Sequence, residues 1–396
     1  LMSPEDPEDE PNFAEAKIQL DELRERRYDR MNDFEKSTLL SFYTNYYLGI
    51  EDYVGAIGIF EEVLTIEELR ADVRLRTLRS LGQLYAAEEN WAKSIENYQA
   101  WRDISETEDI VVFKGLSYAY YQQELYEEAK PFWLDYMNLS LVEGEELDRD
   151  DYAYLNGIYF VLEDFENALD LTKTMIVKFN DATDWLNLNA VYASLDMEDR
   201  RVQALNLAYL NGVIDDEARY LNLGQSLAGM DIPLTGSKII EEGLDESIIE
   251  TNEDNLQIAS QLFLIASDYA NALPRALELA EISDSGDAWD SVGYIHYVMT
   301  NYEDAADSFR AAIDKGNLSN RSDTLIFLAR SLLELDDFDG ARSAARQAAD
   351  AGDEDDRRSA NQYLTFIQST EQRYNIIEQR KQEAIDFYEP YPSLLN

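Results

Sequence analysis

Apolar residues recur along this chain in two alternating phrases. The first is a large apolar residue followed by apolar, small and aromatic residues at +3, +4 and +7. Its clearest copies are Leu78-Leu81-Gly82-Tyr85, Phe113-Leu116-Ser117-Tyr120 and Trp289-Val292-Gly293-His296. Offsets of 3, 4 and 7 place these side chains on one face of a helix, here helix A. The second phrase is usually Asp or Asn, then an aromatic, two residues and a small residue. It reads Asp52-Tyr53-x-x-Ala56, Asn90-Trp91-x-x-Ser94, Leu125-Tyr126-x-x-Ala129 and Asp164-Phe165-x-x-Ala168, and returns at Asp268, Asn301 and Asp337. The Asp or Asn suits a helix N-cap. The aromatic opens helix B, and the small residue lets B cross A closely.

The small residue of the second phrase lies sixteen positions after the large apolar residue of the first. Two degenerate copies fill the middle: Trp185-Leu188-Asn189-Tyr192 leading to Arg201, and Tyr220-Leu223-Gly224-Leu227 leading to Gly236. The registration points are then 56, 94, 129, 168, 201, 236, 272, 305 and 341. A period near 35 residues held nine times predicts about nine helix-turn-helix repeats over residues 37–355. Residues 13–36 read as an N-terminal half-repeat, with Phe13 and Ala16 in the helix B positions and its helix A expected upstream. Residues 356–396 form a long charged amphipathic stretch, suited to capping the last repeat, with a tail ended by Glu389-Pro390-Tyr391-Pro392. Residues 1–12, acidic and Pro-rich, read as a disordered leader.

Charge narrows the partners. Lys plus Arg number 33 against 81 Asp plus Glu, a formal net charge of −48. That argues against binding nucleic acid or inserting into an anionic membrane, since phosphate recognition needs the opposite sign. No apolar run is long enough to span a bilayer. Only 10 of the cations are Lys, a balance also found in salt-adapted proteins, so habitat alone is one account of the acidity.

Composition also narrows the chemistry. There is no Cys, which removes disulfides, thiolate catalysis and Cys-ligated zinc. The one histidine, His296, occupies the +7 aromatic position of helix A and reads as a packed residue replacing Tyr. The tyrosines at that position, Tyr47, Tyr85, Tyr120, Tyr159 and Tyr192, read as core. The carboxylate runs Glu61-Glu62, Glu145-Glu146 and Asp353 to Asp356 read as solvated faces or loops. No EF-hand loop, phosphate-binding glycine loop or G-x-S-x-G elbow is present. Neither a catalytic residue nor a cofactor or metal site is expected, and the chain reads as a non-enzyme.

The phrase W-x2-L-G-x2-Y followed by the small residue resembles the tetratricopeptide signature over nearly the whole chain, without that family's late Pro. The resemblance implies an all-α superhelical solenoid. Narrower segments are Trp185 to Gly212, Ala280 to Gly286, Ala312 to Leu318 and the stretch beginning at Tyr363. They resemble a periplasmic tetratricopeptide protein associated with bacterial TonB systems. That implies a removed signal peptide, a periplasmic location, and action with TonB, ExbB and ExbD in outer-membrane nutrient uptake.

In the tetratricopeptide family the concave groove is lined from helix A at −2, +1, +5, +8 and +9 from its first large apolar residue. Carried onto this chain, those positions give Arg76, Arg79 and Gln83 in the second repeat and Lys114, Tyr118 and Tyr121 in the third. Three cations and two tyrosines on one groove suggest a receptor for an acidic or C-terminal segment, or cations that simply neutralise neighbouring carboxylates. Gln83 and Tyr118 stand where a chaperone-tail clamp needs Asn, which disfavours that adaptor role. Later grooves are neutral at Leu221, Gln225, Gln257, Gln261, Leu264 and Tyr294. They turn acidic at Asp254, Asp287, Asp290 and Asp323, where basic stretches of a partner could lie. The expected function is a protein–protein interaction scaffold of a TonB system. The alternatives are a generic adaptor in envelope assembly or secretion, or an enzyme whose catalytic domain lies N-terminal to this segment.

Overall fold

The computed structural model describes residues 12–389, and the proposed leader and the Pro-ended tail lie outside them except for Asn12 and Glu389. Every regular element in that span is helical. The chain divides into two compact units, residues 1–197 and 198–396. The first holds α1 (Phe13–Arg27), α2 (Asp33–Gly49), α3 (Tyr53–Leu64), α4 (Ala71–Ala87), α5 (Trp91–Ile104), α6 (Ile110–Tyr121), α7 (Tyr126–Glu143), α8 (Arg149–Val161), α9 (Phe165–Phe179) and α10 (Asp184–Ser194). The second holds α11 (Glu198–Leu210), α12 (Glu217–Gly229), α13 (Pro233–Asp245), α14 (Glu253–Ile265), α15 (Tyr269–Ile282), α16 (Asp287–Val298), α17 (Tyr302–Lys315), α18 (Arg321–Glu334), α19 (Phe338–Ala351) and α20 (Glu354–Tyr388). Each unit is a stack of helix-turn-helix hairpins: α2/α3 through α8/α9 in the first, α12/α13 through α18/α19 in the second. The division falls between α10 and α11, the two helices of the degenerate fifth repeat.

One local device closes the turn of every repeat. The residue before helix B donates its backbone N–H to the carbonyl of the +7 residue of helix A. The pairs are Asp52 to Tyr47, Asn90 to Tyr85, Leu125 to Tyr120, Asp164 to Tyr159, Met197 to Tyr192, Ile232 to Leu227, Asp268 to Phe263, Asn301 to His296 and Asp337 to Leu332. The intervening residue must then take a left-handed backbone. Glu51, Glu89, Glu124, Glu163, Asp196, Asp231, Ser267, Thr300 and Asp336 do so, with φ between 54° and 63°, and none is Gly. Side chains of Asp52, Asn90, Asp268 and Asp337 accept the backbone N–H three residues on, so the Asp/Asn of the second phrase caps helix B in those four repeats.

The small residues do what their spacing implies. Ala56, Ser94, Ala129, Ala168, Ala272, Ala305 and Ala341 are fully buried where B crosses A. At the α12/α13 crossing a Cβ on Gly236 would run into the backbone carbonyl of Gly224, so only Gly fits. Arg201, in the corresponding position of α11, sends its guanidinium to Glu198, Asn222 and Ser226. The cores differ in material. Tyr43, Tyr98, Trp101, Phe113 and Trp133 fill the first unit, whereas Ala276, Ala280, Ala306, Ala344, Ala345 and Ala348 line much of the second around Phe263 and Phe309. The +7 tyrosines are less enclosed than their pattern implies. Tyr85 and Tyr159 are buried, but Tyr47, Tyr120 and Tyr192 are half-buried. Their position at the end of helix A puts the ring at the edge of the core.

At the N-terminal end, α1 packs on α2 through Ala16 and Leu20, with Phe13 edge-on to Tyr46 at 6.2 Å. At the other end α20, 35 residues long, buries Ala360 and Ile367 against α19 and α18. Its Tyr374 meets Phe338 at 5.3 Å, and beyond that contact Ile376, Ile377, Ile385, Phe387 and Tyr388 are exposed.

Candidate functional site

The residues singled out on α4 and α6 do not form one patch. Arg76 is exposed and pairs with Asp72 one helical turn away, at 3.6 Å. Gln83 is exposed. Arg79 reaches Asp109, the N-cap of α6, at 3.4 Å. Lys114 and Tyr118 line an open pocket of about 590 Å³ between α6 and α8. Tyr121 stands behind it, its ring 5.0 Å from Tyr154 and 5.1 Å from Tyr126.

The pocket is built by four helices. Val111, Lys114, Gly115 and Tyr118 come from α6, Tyr98 from α5, and Trp133 from α7. Asp148, Asp150, Asp151 and Tyr154 come from the start of α8. Asp148 caps α8 and exchanges hydrogen bonds with Asp151: each carboxylate accepts the other's backbone N–H. That reciprocal cap fixes Asp151, which is buried, with its second oxygen turned inward. There it accepts from Tyr136 Oη at 2.9 Å and from Lys114 Nζ at 3.2 Å. Lys114 also lies 4.6 Å from the Tyr136 ring centroid and 5.4 Å from that of Trp133. Burial works against the Lys114 charge, but the hydrogen bonds to Tyr136 and Asp151 outweigh it and hold its pKa above the ordinary lysine value. Burial pushes the Tyr136 and Tyr154 phenols up. Trp133 stacks on Tyr154 at 3.9 Å and donates Nε1–H to the Asp151 carbonyl at 2.9 Å.

Arg149 lies between these aspartates in sequence and its charge is felt at Asp150, but its guanidinium makes its hydrogen bonds elsewhere. It turns to fully buried Asp184, with Nη2–Oδ1 at 2.6 Å, and to Thr183 and Asp181. Asp148 and Asp150 are left exposed on the pocket side, and Asp150 has no ion pair among the described residues.

The helix A rule did not reach Tyr98 and Trp133, because they belong to helix B. The Asp148-x-x-Asp151 spacing is itself a capping signal, and it was the one cue in the sequence to the buried carboxylate.

In the second unit, Gln257, Gln261, Leu264 and Asp287 line a smaller pocket of about 150 Å³ between α14 and α16. Glu253, Ser260, Ser283, Ser285 and Ser291 complete its polar wall. Asp287 accepts from the backbone N–H of Ser319 at 2.8 Å and from its hydroxyl. Burial raises the Asp290 pKa; a hydrogen bond from Thr324 opposes the shift, and Asp287 and Asp323 add to it. His296 is half-buried on α16. Among the described residues no group of three or more acidic, His or Cys side chains is placed to hold a metal ion. No helix among them is long and apolar enough to cross a membrane.

No family model matches the sequence, and no curated protein does. Several solved structures are similar in repeat architecture. A tetratricopeptide repeat protein from Parabacteroides merdae aligns at 10% identity and a TM-score of 0.33, covering 65% of this chain and 98% of that one. The C-terminal part of a repeat protein from Cytophaga hutchinsonii aligns at 11% and 0.37, covering 62% and 99%. YrrB, described as a tetratricopeptide protein with an unusual peptide-binding site, aligns at 17% and 0.32, covering 45% and 91%. At such identities and TM-scores the likeness carries nothing about partner or location.

Proposed function

We propose that the chain is a non-catalytic scaffold that holds segments of protein partners against the helix A faces of its repeats. The observation that carries this reading is the open, aromatic-lined pocket between α6 and α8. Its inner ionisable groups, Lys114, Tyr136 and Asp151, are committed to one another, so they serve structure rather than proton transfer. Tyr118, 44% exposed at the pocket wall, offers contact area to an incoming side chain. Several such weak contacts along a groove sum to useful affinity.

The setting we assign is the periplasm, in a TonB–ExbB–ExbD system that supports outer-membrane nutrient uptake. Its support is the resemblance of Trp185 to Gly212, Ala280 to Gly286 and Ala312 to Leu318. Two of those segments interlock. Gly286 N–H donates to the Gly316 carbonyl at 2.8 Å, Lys315 Nζ donates to the Ala280 carbonyl at 3.0 Å, and a Cβ on Gly286 would strike both the Ala312 and Gly316 carbonyls. Those two segments thus form one structural joint.

In-cell crosslinking of the full-length protein, followed by fractionation and mass spectrometry, tests the proposal. TonB, ExbB or ExbD should be recovered from the periplasmic fraction, and less of them with Tyr118→Asp. Recovery of other envelope proteins in their place makes the chain a generic adaptor. Recovery of no protein partner overturns the scaffold reading.

A further inference from the structure

We infer that the α6–α8 pocket accepts an arginine side chain from a basic segment of its partner, an inference that rests on the scaffold reading above. The cations near the pocket do not leave it basic. Arg79 is matched by Asp109, Lys114 by Asp151, and Arg76 by Asp72 outside the pocket. Arg149, the cation closest in sequence to the pocket's carboxylates, is drawn away to Asp184. What remains facing the opening is two aspartates, Asp148 and Asp150, beside the exposed ring of Tyr118 and the Tyr154 edge of the aromatic stack.

That combination selects a flat cation. The face of a tyrosine ring carries negative electrostatic potential, and a guanidinium lies on it while its edge donates to carboxylates. An acidic segment would instead meet two carboxylates and a lysine whose charge is already answered. A lysine would gain the charge interaction but lacks the planar fork.

Fluorescence anisotropy with the whole chain and a labelled peptide of alternating arginine and alanine tests this. Companion peptides carry glutamate or glutamine in place of arginine. Bulk attraction by a strongly acidic protein is the obvious confounder, so two double variants are compared. Asp148→Asn with Asp150→Asn neutralises the pocket while Asn keeps the α8 cap. Glu303→Gln with Asp304→Asn removes the same charge from α17, in the other unit.

The arginine peptide should bind best, weaken about tenfold with the pocket pair, and weaken less than about twofold with the α17 pair. Tyr118→Ala should also weaken it, and Tyr118→Phe should not. Equal loss with both double variants would reduce the effect to bulk charge and overturn the inference. Tighter binding of the glutamate peptide overturns it while leaving the scaffold reading standing. Binding of no peptide overturns it as well, and in-cell crosslinking then judges the scaffold reading separately.

Discussion

The α6–α8 pocket and the α14–α16 pocket occupy the same place in their repeats, and aligning them on the small residues Ala129 and Ala272, then Ala168 and Ala305, pairs their walls position by position. Lys114 corresponds to Gln257, Tyr118 to Gln261, Trp133 to Ala276 and Tyr136 to Leu279. Asp148, Arg149, Asp150 and Asp151 correspond to Ser285, Gly286, Asp287 and Ala288. Three of these exchanges go together. Where the second unit has Ala288 in place of the buried carboxylate, it also has Leu279 in place of the phenol and Gln257 in place of the cation. A buried charge is tolerable only with its partners, so the network is kept whole or lost whole. Arg149 and Gly286 differ in what they join: the Arg149 side chain ties its repeat to the next through Asp184, whereas Gly286 donates its N–H to the Gly316 carbonyl and closes its own α16/α17 hairpin.

The largest expected effect comes from the aromatic that only the first unit has. Trp133→Ala should destabilise the first unit by about 3–5 kcal/mol, because a buried ring is lost and a cavity is left. Hydrogen-exchange mass spectrometry during denaturant unfolding should show earlier opening confined to residues before 198. Equal loss of protection in both units would break the comparison.

The charge network gives a sharper test of smaller size. Asp151→Ala alone should cost about 2 kcal/mol, since it strands Lys114 and Tyr136 and undoes the reciprocal cap. Adding Lys114→Gln and Tyr136→Leu, which copies the second unit, should bring stability back to within about 1 kcal/mol of the parent chain. If the three losses simply add, the network is not a unit and the three exchanges between the units are independent of one another.

The repeat and the network differ in how far they could be read from the chain. Helix A and helix B announce themselves through +3, +4, +7 spacing and the buried small residue, because each reports a contact inside one hairpin. Gly236 was legible as a small position, though its close neighbour at Gly224 emerged only from the crossing geometry. The pocket is different. Tyr98, Trp133 and Asp151 converge from three helices, and no single periodicity connects them. Lys114 and Tyr118 were found because helix A carries them. Neutralisation of Lys114 by a carboxylate is one of the two readings the sequence allows, but Asp151 is not legible as that carboxylate, because it lies in the next repeat, 37 residues on.

The turns are where the two units should behave alike. Glu124→Gly and Asp336→Gly relieve a side chain held at φ 60° and 62°, one in each unit. Each should raise the stability of its own unit by about 0.5–1 kcal/mol, the strain relieved exceeding the entropy that Gly adds to the unfolded chain. A gain in one unit only would mean that the shared turn closure is not energetically equivalent across repeats.

The smallest effect is alkaline, and it too compares the units. Tyr28 in the first and Tyr363 in the second are each pushed up to about 12, chiefly by burial, with a hydrogen bond to Glu62 adding to the shift at Tyr28. An unfolded chain releases these protons near the ordinary phenol value of about 10. Between about pH 10 and 12 the folded state therefore binds more protons than the unfolded one, so stability should fall as pH rises through that window. Tyr28→Phe and Tyr363→Phe should each flatten the fall in their own unit, read as denaturant midpoints against pH. Burial leads at both, but Tyr28 also donates a hydrogen bond to Glu62 with Arg24 beside it, so its contribution should depend on salt, whereas at Tyr363 the nearby Arg330 and Glu334 act in opposite directions and the dependence should be smaller. Salt dependence of equal size at both positions would assign the shift at Tyr363 to its neighbouring charges rather than to its enclosure against α18.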